Sequence, residues 1–179
     1  MIANLYFYKK NMSTIKGNQI RNARDINATI QRISYQIYEN NETQQSLVLA
    51  GINGSGAHLA KEIAAELKSI SNLDITLVDI IIDKKNPRNG VSTSLEISAY
   101  ENKSIVVVDD VLNTGSTLIY AVNYFLQVPV IQIKTAVMVN RNHKNFPIKA
   151  DFKGLSLSTS LREHINVILE GDARGIYLS

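Results

Sequence analysis

Apolar positions along the chain switch between two periods. Ile20, Ala23, Ile26, Ile30, Ile33 and Ile37 recur every three or four residues. That spacing predicts an amphipathic helix over roughly 19–40, and Asn40-Asn41 suits its end. SLVLAGI at 46–52 is short, apolar and bounded by turn residues, the pattern of a buried strand. The turn Asn53-Gly54-Ser55-Gly56 follows. Leu59, Ala60, Ile63, Ala64 and Leu67 then return to helical spacing and predict a second helix over about 57–69. LDITLVDIIID at 73–83 reads as a strand, and KKNPRNGVST at 84–93 as a polar loop broken by a proline and a glycine. A strand at 105–108, a helix at about 116–126 and a strand at 131–139 complete the strongest pattern. Further short strands are expected near 150–152, 165–169 and 175–178. Strands alternating with helices imply βαβ units, hence an α/β fold whose mainly parallel sheet is covered on both faces. No repeat, low-complexity tract or linker marks a second domain.

The composition narrows the chemistry. At 179 residues, 45% of them hydrophobic, the chain fits one domain with a substantial core. With no cysteine, disulfides, thiolate metal sites and thiol nucleophiles are excluded, which fits a reducing compartment. No apolar run approaches the ~18 residues that span a membrane. The opening MIANLYFYKKN carries its lysines after the apolar stretch, which is not the order of a signal peptide. A net charge of +3 does not by itself argue for nucleic acid. The charge is uneven, however: residues 1–24 hold Lys9, Lys10, Lys16, Arg21 and Arg24 and no acid. Three readings stay open: a solvated terminus, an arm that touches RNA or another anion, or a natural start at Met12 with residues 1–11 extra.

In an open α/β sheet, ligands bind beyond the carboxyl ends of the strands. Three such ends carry suitable groups. In IVVVDDVLNTGST, at 105–117, an apolar strand runs into Asp109 and Asp110, and Thr114-Gly115-Ser116-Thr117 follows. Gly115 permits a tight turn, and the next helix offers free N–H groups and a positive dipole end to a phosphate. Two carboxylates do not bind that phosphate; they suit the hydroxyls of a sugar attached to it, directly or through Mg²⁺. Asn53-Gly54-Ser55-Gly56 is a second strand-to-helix turn, able to take a second phosphate through backbone amides. It lacks a Walker lysine and Ser/Thr pair and is not a P-loop. The third end is Asn140-Arg141-Asn142-His143-Lys144, followed by Pro147 and Ala150-Asp151-Phe152-Lys153-Gly154. Arginine and amide groups beside an aromatic ring suit a flat heteroaromatic ligand; the alternative is a polar loop beside a core phenylalanine. Other constellations fail. His58, His143 and His164 lack metal-ligand spacing, no G-x-S-x-G elbow exists, and the eight tyrosines form no RNA-binding signature.

IVVVDDVLNTGSTL resembles the phosphoribosyl-pyrophosphate (PRPP) motif of type I phosphoribosyltransferases. Within that family, NRNHKNFPIKADFKGLSLSTS at 140–160 is similar to the bifunctional pyrimidine-operon attenuation regulators with uracil phosphoribosyltransferase activity. LDITL at 73–77 and SLVLAGI at 46–52 also fit. The resemblance implies a type I phosphoribosyltransferase fold: a central mainly parallel sheet flanked by helices, with a small hood, spanning 19–179 after a basic extension over 1–18. It implies that Asp109 and Asp110 hold the ribose hydroxyls as catalytic residues and contact Mg²⁺ only indirectly, through those hydroxyls or water. Asn113, Thr114, Gly115, Ser116 and Thr117 would wrap the 5-phosphate. Asn53, Gly54, Ser55 and Gly56 would form the pyrophosphate loop, residues 78–93 the mobile hood, and Asn140, Arg141, Phe152 and Lys153 the base pocket.

The implied reaction moves a 5-phosphoribosyl group from PRPP to a nucleobase, uracil first, giving UMP and pyrophosphate. The rivals are a PRPP- or nucleotide-sensing, RNA-binding regulator of pyrimidine genes with little turnover, and an enzyme for a purine. A cytoplasmic homodimer or homotetramer is implied, with no membrane association. Three positions depart from the family: the pyrophosphate loop has no basic residue, Val78-Asp79-Ile80-Ile81 replaces a Tyr-Arg-Asp-Asp stretch, and Asn140 and Asn142 replace an acid and a glycine. Lys84, Lys85 or Arg88 are the candidates to supply the missing charge.

Overall fold

Two sheets organise the computed structural model, which describes residues 17–158, 160 and 163–179. Most of the basic extension, with Lys9, Lys10 and Lys16, and the alternative start at Met12 lie outside the described residues. The larger sheet contains β2 (Ser46–Ile52), β3 (Asp74–Ile82), β4 (Val91–Thr93), β5 (Ser104–Leu112), β6 (Gln132–Arg141) and β7 (Phe152–Leu157). Their spatial order is β4-β3-β2-β5-β6-β7. All neighbours are parallel except β4, which pairs antiparallel at the edge. The smaller sheet joins the two ends of the described chain: β1 (Asn18–Asn22) and β8 (Ile165–Ile168) flank β9 (Gly175–Leu178), all antiparallel.

The apolar alternation explains the layers. Leu47, Leu49, Val106 and Val108 point to one face and pack against α1 (Ala23–Asn40) and α2 (Ser55–Ile70). Val48, Ala50, Ile105 and Val107 point to the other and pack against Leu118, Ala121 and Phe125 of α3 (Ser116–Phe125). Central strands are therefore buried on both faces, as a parallel sheet requires. Val167, Leu169 and Ile176 of the small sheet and its loop join the α1–α2 cluster, so that sheet shares the main core.

Four boundaries differ from the sequence expectation. The first helix begins at Ala23 rather than 19, because Asn22 closes a capping box: its side chain accepts from the Asp25 amide and its own amide donates back to Asp25. Residues 18–22 instead form β1, with Asn18 opposite Leu178, so Asn18 belongs to the folded body. Residues 78–82 lie inside β3, as the strand expected over 73–83 has them, and because Val78, Ile80 and Ile82 enter the core they are not part of the mobile hood that the resemblance implied over 78–93. Part of the expected loop, 91–93, pairs with β3 as β4. Ser55 and Gly56, expected in a turn, already form the first turn of α2.

Parallel strands bring their carboxyl ends to one edge, and one glycine sets how closely they meet. A Cβ built on Gly56 would lie 2.9 Å from the Val108 carbonyl oxygen and 3.0 Å from both Cα and Oδ1 of Asp109. The start of α2 touches the end of β5 only because that atom is missing. Gly56→Ala would ordinarily favour a helix. Here it should lower stability by about 1–3 kcal/mol through overpacking, read as a fall in melting temperature; an unchanged or higher value would contradict this packing.

Candidate functional site

The carboxyl edge assembles the groups that the sequence had separated. After β2 come Asn53 and Gly54, then the N-terminus of α2. After β3 comes Lys84. Asp109 and Asp110 lie within β5, and Asn113–Gly115 connect that strand to α3.

Gly115 adopts φ +85°, the left-handed conformation, immediately before α3. A Cβ there would also approach Cγ2 of Ile148 to 2.6 Å, so glycine is needed on both counts. Thr114 Oγ1 accepts from the Ser116 amide at 3.3 Å, and the Thr114 carbonyl accepts from the Asn145 and Phe146 amides at 2.9 and 3.2 Å. The loop after β6 thus grips the turn from outside. Asn113 is exposed and Ser116 and Thr117 are half-buried, so their hydroxyls and the first amides of α3 face a small cleft lined by Asp109 and 111–118. A helix N-terminus with adjacent hydroxyls favours an anion.

Asp109 is 5% exposed. Its Oδ1 accepts from Lys84 Nζ at 3.0 Å and from the Asp110 amide at 3.0 Å. Lys84 Nζ also lies 3.6 Å from Asp110 Oδ1, and Asp110 is the more exposed acid. Burial, followed by repulsion from Asp110, pushes the Asp109 carboxyl up to about 7 against the opposing pull of Lys84. Burial pulls the Lys84 ammonium down, but the two acids outweigh it and the net direction is upward. We take Lys84 as charged throughout the neutral range and Asp109 as the group that changes.

The residues expected in a pyrophosphate loop stand between β2 and the first turn of α2, and their side chains differ in direction. Gly54 is exposed at φ +89° with open space where a Cβ would stand, and Ser55 is half-buried. The Asn53 amide turns away, against the backbone of Ile80 and Ile82 on β3.

The expected base pocket divides. Asn140 and Arg141 end β6 at the carboxyl edge. Asn140 is buried, its Nδ2 is 3.4 Å from Ser156 Oγ, and its Oδ1 has no hydrogen-bond partner. Arg141 is buried and donates to the Ser160 carbonyl at 2.9 Å. Phe152 and Lys153, by contrast, begin β7 beside Ala136 and Val137. Phe152 stands four residues before the level of Asn140 and is buried in the α1–α2 core, so it does not reach the edge to stack on a ligand. The register of β7 makes it a core residue, and Lys153 is exposed at the same remove.

A further cluster escaped the sequence reading. Arg174 donates to both carboxylate oxygens of Glu62 at 2.8 and 2.6 Å and to Asn27. His58 lies 3.2 Å from Glu62 and 2.9 Å from Glu170. These contacts tie the β8–β9 loop to the first turns of α2, beside Gly54. Only the i, i+4 spacing of His58 and Glu62 hinted at it.

The sequence matches the phosphoribosyl transferase domain family over residues 16–169. It is 37% identical over 145 residues to the Bifunctional protein PyrR of Streptococcus thermophilus, covering 78% of this chain and 83% of that protein. It is 35% identical over 167 residues to the Bifunctional protein PyrR of Geobacter sulfurreducens, covering 88% and 94%. Among solved structures, it is similar to the hypoxanthine phosphoribosyltransferase of Trypanosoma cruzi, with TM-score 0.74, 16% identity and coverage of 90% and 95%. This last likeness concerns the fold.

Because the folded state holds the Asp109 proton more tightly than an unfolded chain, with its ordinary value of 3.8, stability is lost as pH rises from about 3.8 to about 7 and the cost is constant above that. Asp109→Asn should therefore be more stable than the native chain at pH 8, by on the order of 1 kcal/mol or roughly 2–4 °C. The gain should shrink as pH falls and vanish at about pH 3, below the ordinary carboxyl value of 3.8, where Asp109 is neutral in the folded and the unfolded chain alike. Equal shifts at both pH values in thermal melts would show that the carboxyl is not held neutral.

Proposed function

The chain belongs to the phosphoribosyltransferase family, and on that footing we propose that it transfers a 5-phosphoribosyl group from PRPP to a nucleobase, with uracil as the base. The observation that carries this reading is one juxtaposition: two carboxylates at the end of β5, and the Thr114–Thr117 turn with the α3 N-terminus directly after them. A phosphate alone would be repelled by the acids. A free sugar would leave the helix terminus unused. A sugar phosphate satisfies both.

In this reading Asp109 and Asp110 accept from the ribose hydroxyls. Asn113, Thr114, Gly115, Ser116 and Thr117 hold the 5-phosphate, and the backbone amides of Gly54, Ser55 and Gly56, at the start of α2, face the pyrophosphate. The base lies toward Asn140, whose unpaired Oδ1 is an acceptor for an N–H of a flat ring. Asn53, Phe152 and Lys153 take no part. The bond from the anomeric carbon to pyrophosphate breaks, pyrophosphate leaving with the electron pair. A ring nitrogen forms the new bond and gives up its proton. Positive charge develops on the ribose ring during this exchange, and the adjacent carboxylates stabilise it. Positioning of the two reactants supplies most of the remainder.

No cluster of three or more His, Asp or Glu able to hold a metal exists among the described residues. The two acids, already partnered by an ammonium, fit Mg²⁺ held mainly by the ligand's own oxygens, with Asp109 and Asp110 reaching it through hydroxyls or water. When bound, Mg²⁺ would neutralise the pyrophosphate. The uracil assignment rests on the resemblance of residues 140–160 to the pyrimidine-operon regulators; the similarity to bifunctional PyrR proteins also supports a regulatory role beside the enzymatic one. The basic extension before β1 would then serve to contact RNA. A dimer or tetramer and a cytoplasmic setting belong to the same reading; no helix among the described residues is long and apolar enough to cross a membrane.

The test is pyrophosphate release from PRPP and Mg²⁺ across a panel of bases. Release with uracil and not with purines is expected. Release with hypoxanthine alone would correct the base, and no release with any base would overturn the enzymatic reading. Asp110→Asn should lower the rate by about 10–100-fold, given about 1.5–3 kcal/mol for a hydrogen bond to a charged group.

A further inference from the structure

Strand order places Lys84 where its side chain must cross the phosphate end of the site. Lys84 follows β3, Asp109 belongs to β5, and β2 lies between them. Two strand spacings are roughly 10 Å, so the lysine stem passes over the end of β2, where Asn53 and Gly54 turn into α2. The same Asp109 oxygen that accepts from Lys84 Nζ at 3.0 Å would lie 3.0 Å from a Cβ on Gly56. The ammonium therefore sits beside the opening turn of α2, the positive end of that helix, where a cation is disfavoured and an anion favoured.

The segment that carries Lys84 is held in place by hydrogen bonds of its own, apart from the ion pairs that its side chain makes. Asp83 accepts from the Lys85 amide at 2.9 Å and from Asn89 Nδ2 at 2.9 Å. The Asn86 amide donates to the Asp83 carbonyl, and Asn86 bonds Asn89. The Lys84 side chain is 40% exposed, and among the described residues its ion pairs are those with the two acids.

We propose that Lys84 is an exchangeable cation that reads the pyrophosphate: it neutralises Asp109 and Asp110 in the free protein and moves to the pyrophosphate when ribose hydroxyls take over those acids. This rests on the phosphoribosyl reading of the site and adds a selector to it. The exchange leaves neither the acids nor the ammonium without a hydrogen-bond partner at either stage. The acids trade an ammonium for two hydroxyl donors, and the ammonium trades two carboxylates for a more highly charged anion at a helix N-terminus. A ligand with a 5-phosphate but no pyrophosphate would have to displace Lys84 without giving it a new partner. The free chain thereby disfavours a monophosphate product and favours the diphosphate-bearing substrate.

Calorimetric titration of the full chain with PRPP and with ribose 5-phosphate, both with Mg²⁺, tests this on the native protein, Lys84→Met and Lys84→Arg. Melting curves first establish that each variant is folded. Lys84→Met should bind PRPP at least about tenfold more weakly, the loss of one charge-assisted contact, and bind ribose 5-phosphate as well as or better than the native chain. Lys84→Arg should recover most of the PRPP affinity. Unchanged PRPP affinity in Lys84→Met, or an equal loss for both ligands, would overturn the proposal and leave Lys84 as a fixed partner of the acids. A native chain that binds neither ligand would instead overturn the phosphoribosyl reading itself.

Discussion

A carboxylate buried beside another carboxylate is the constraint around which this edge of the molecule is arranged. Asp109 is almost wholly enclosed, and its neighbour in sequence carries the same charge. An isolated buried charge is expensive, and a second one beside it raises the cost. Three features answer it. Gly56 lets α2 close against β5, Lys84 reaches across β2 to supply an ammonium, and the Asp110 amide donates to Asp109. None of these is needed to cover Ile105–Val108, the stretch immediately before the acids, whose two faces are already covered by helices. The acids sit at the margin of that core, enclosed enough to be perturbed and open enough to be reached.

The arrangement separates two jobs that would conflict in one place. Negative charge gathers on β5, and anion-binding capacity gathers at the N-termini of α2 and α3 on either side. A ligand that satisfies all three must be polyhydroxylated at its centre and phosphorylated at two ends. That description comes from charge placement alone, and it agrees with the family to which the sequence belongs. The end of β6 adds two further polar groups to this edge. Asn140 presents a buried acceptor without a partner, whereas Arg141 is engaged by the chain after β7.

Much of this was legible in the sequence, and the failures have physical causes. The strands were readable because parallel strands are apolar on both faces, and the helices because their buried stripes repeat cleanly. The start of α1 was misplaced because Ile20 falls in helical phase with Ala23 by coincidence; the Asn22–Asp25 capping box was the better signal. Phe152 was drawn to the base pocket by its aromatic character, but only the register of β7 on β6 reveals that it enters four residues too early. β4 was invisible because three residues at a sheet edge carry no period. The pairing of Lys84 with Asp109 depends on strand order, which composition and spacing do not contain. The Arg174–Glu62–His58 cluster is likewise a product of the small sheet, whose strands come from opposite ends of the chain.

The central claim is that the two acids and the 114–117 turn hold one ligand together, the acids on its sugar hydroxyls and the turn on its phosphate. The most direct measurement compares the affinity of the native chain for ribose 5-phosphate, 2-deoxyribose 5-phosphate and inorganic phosphate. Ribose 5-phosphate should bind best, the deoxy sugar should lose about tenfold or more for one missing hydroxyl on a charged partner, and inorganic phosphate should be weakest. Equal affinity for all three would mean that the acids do not face the sugar, and the account of the site would fail.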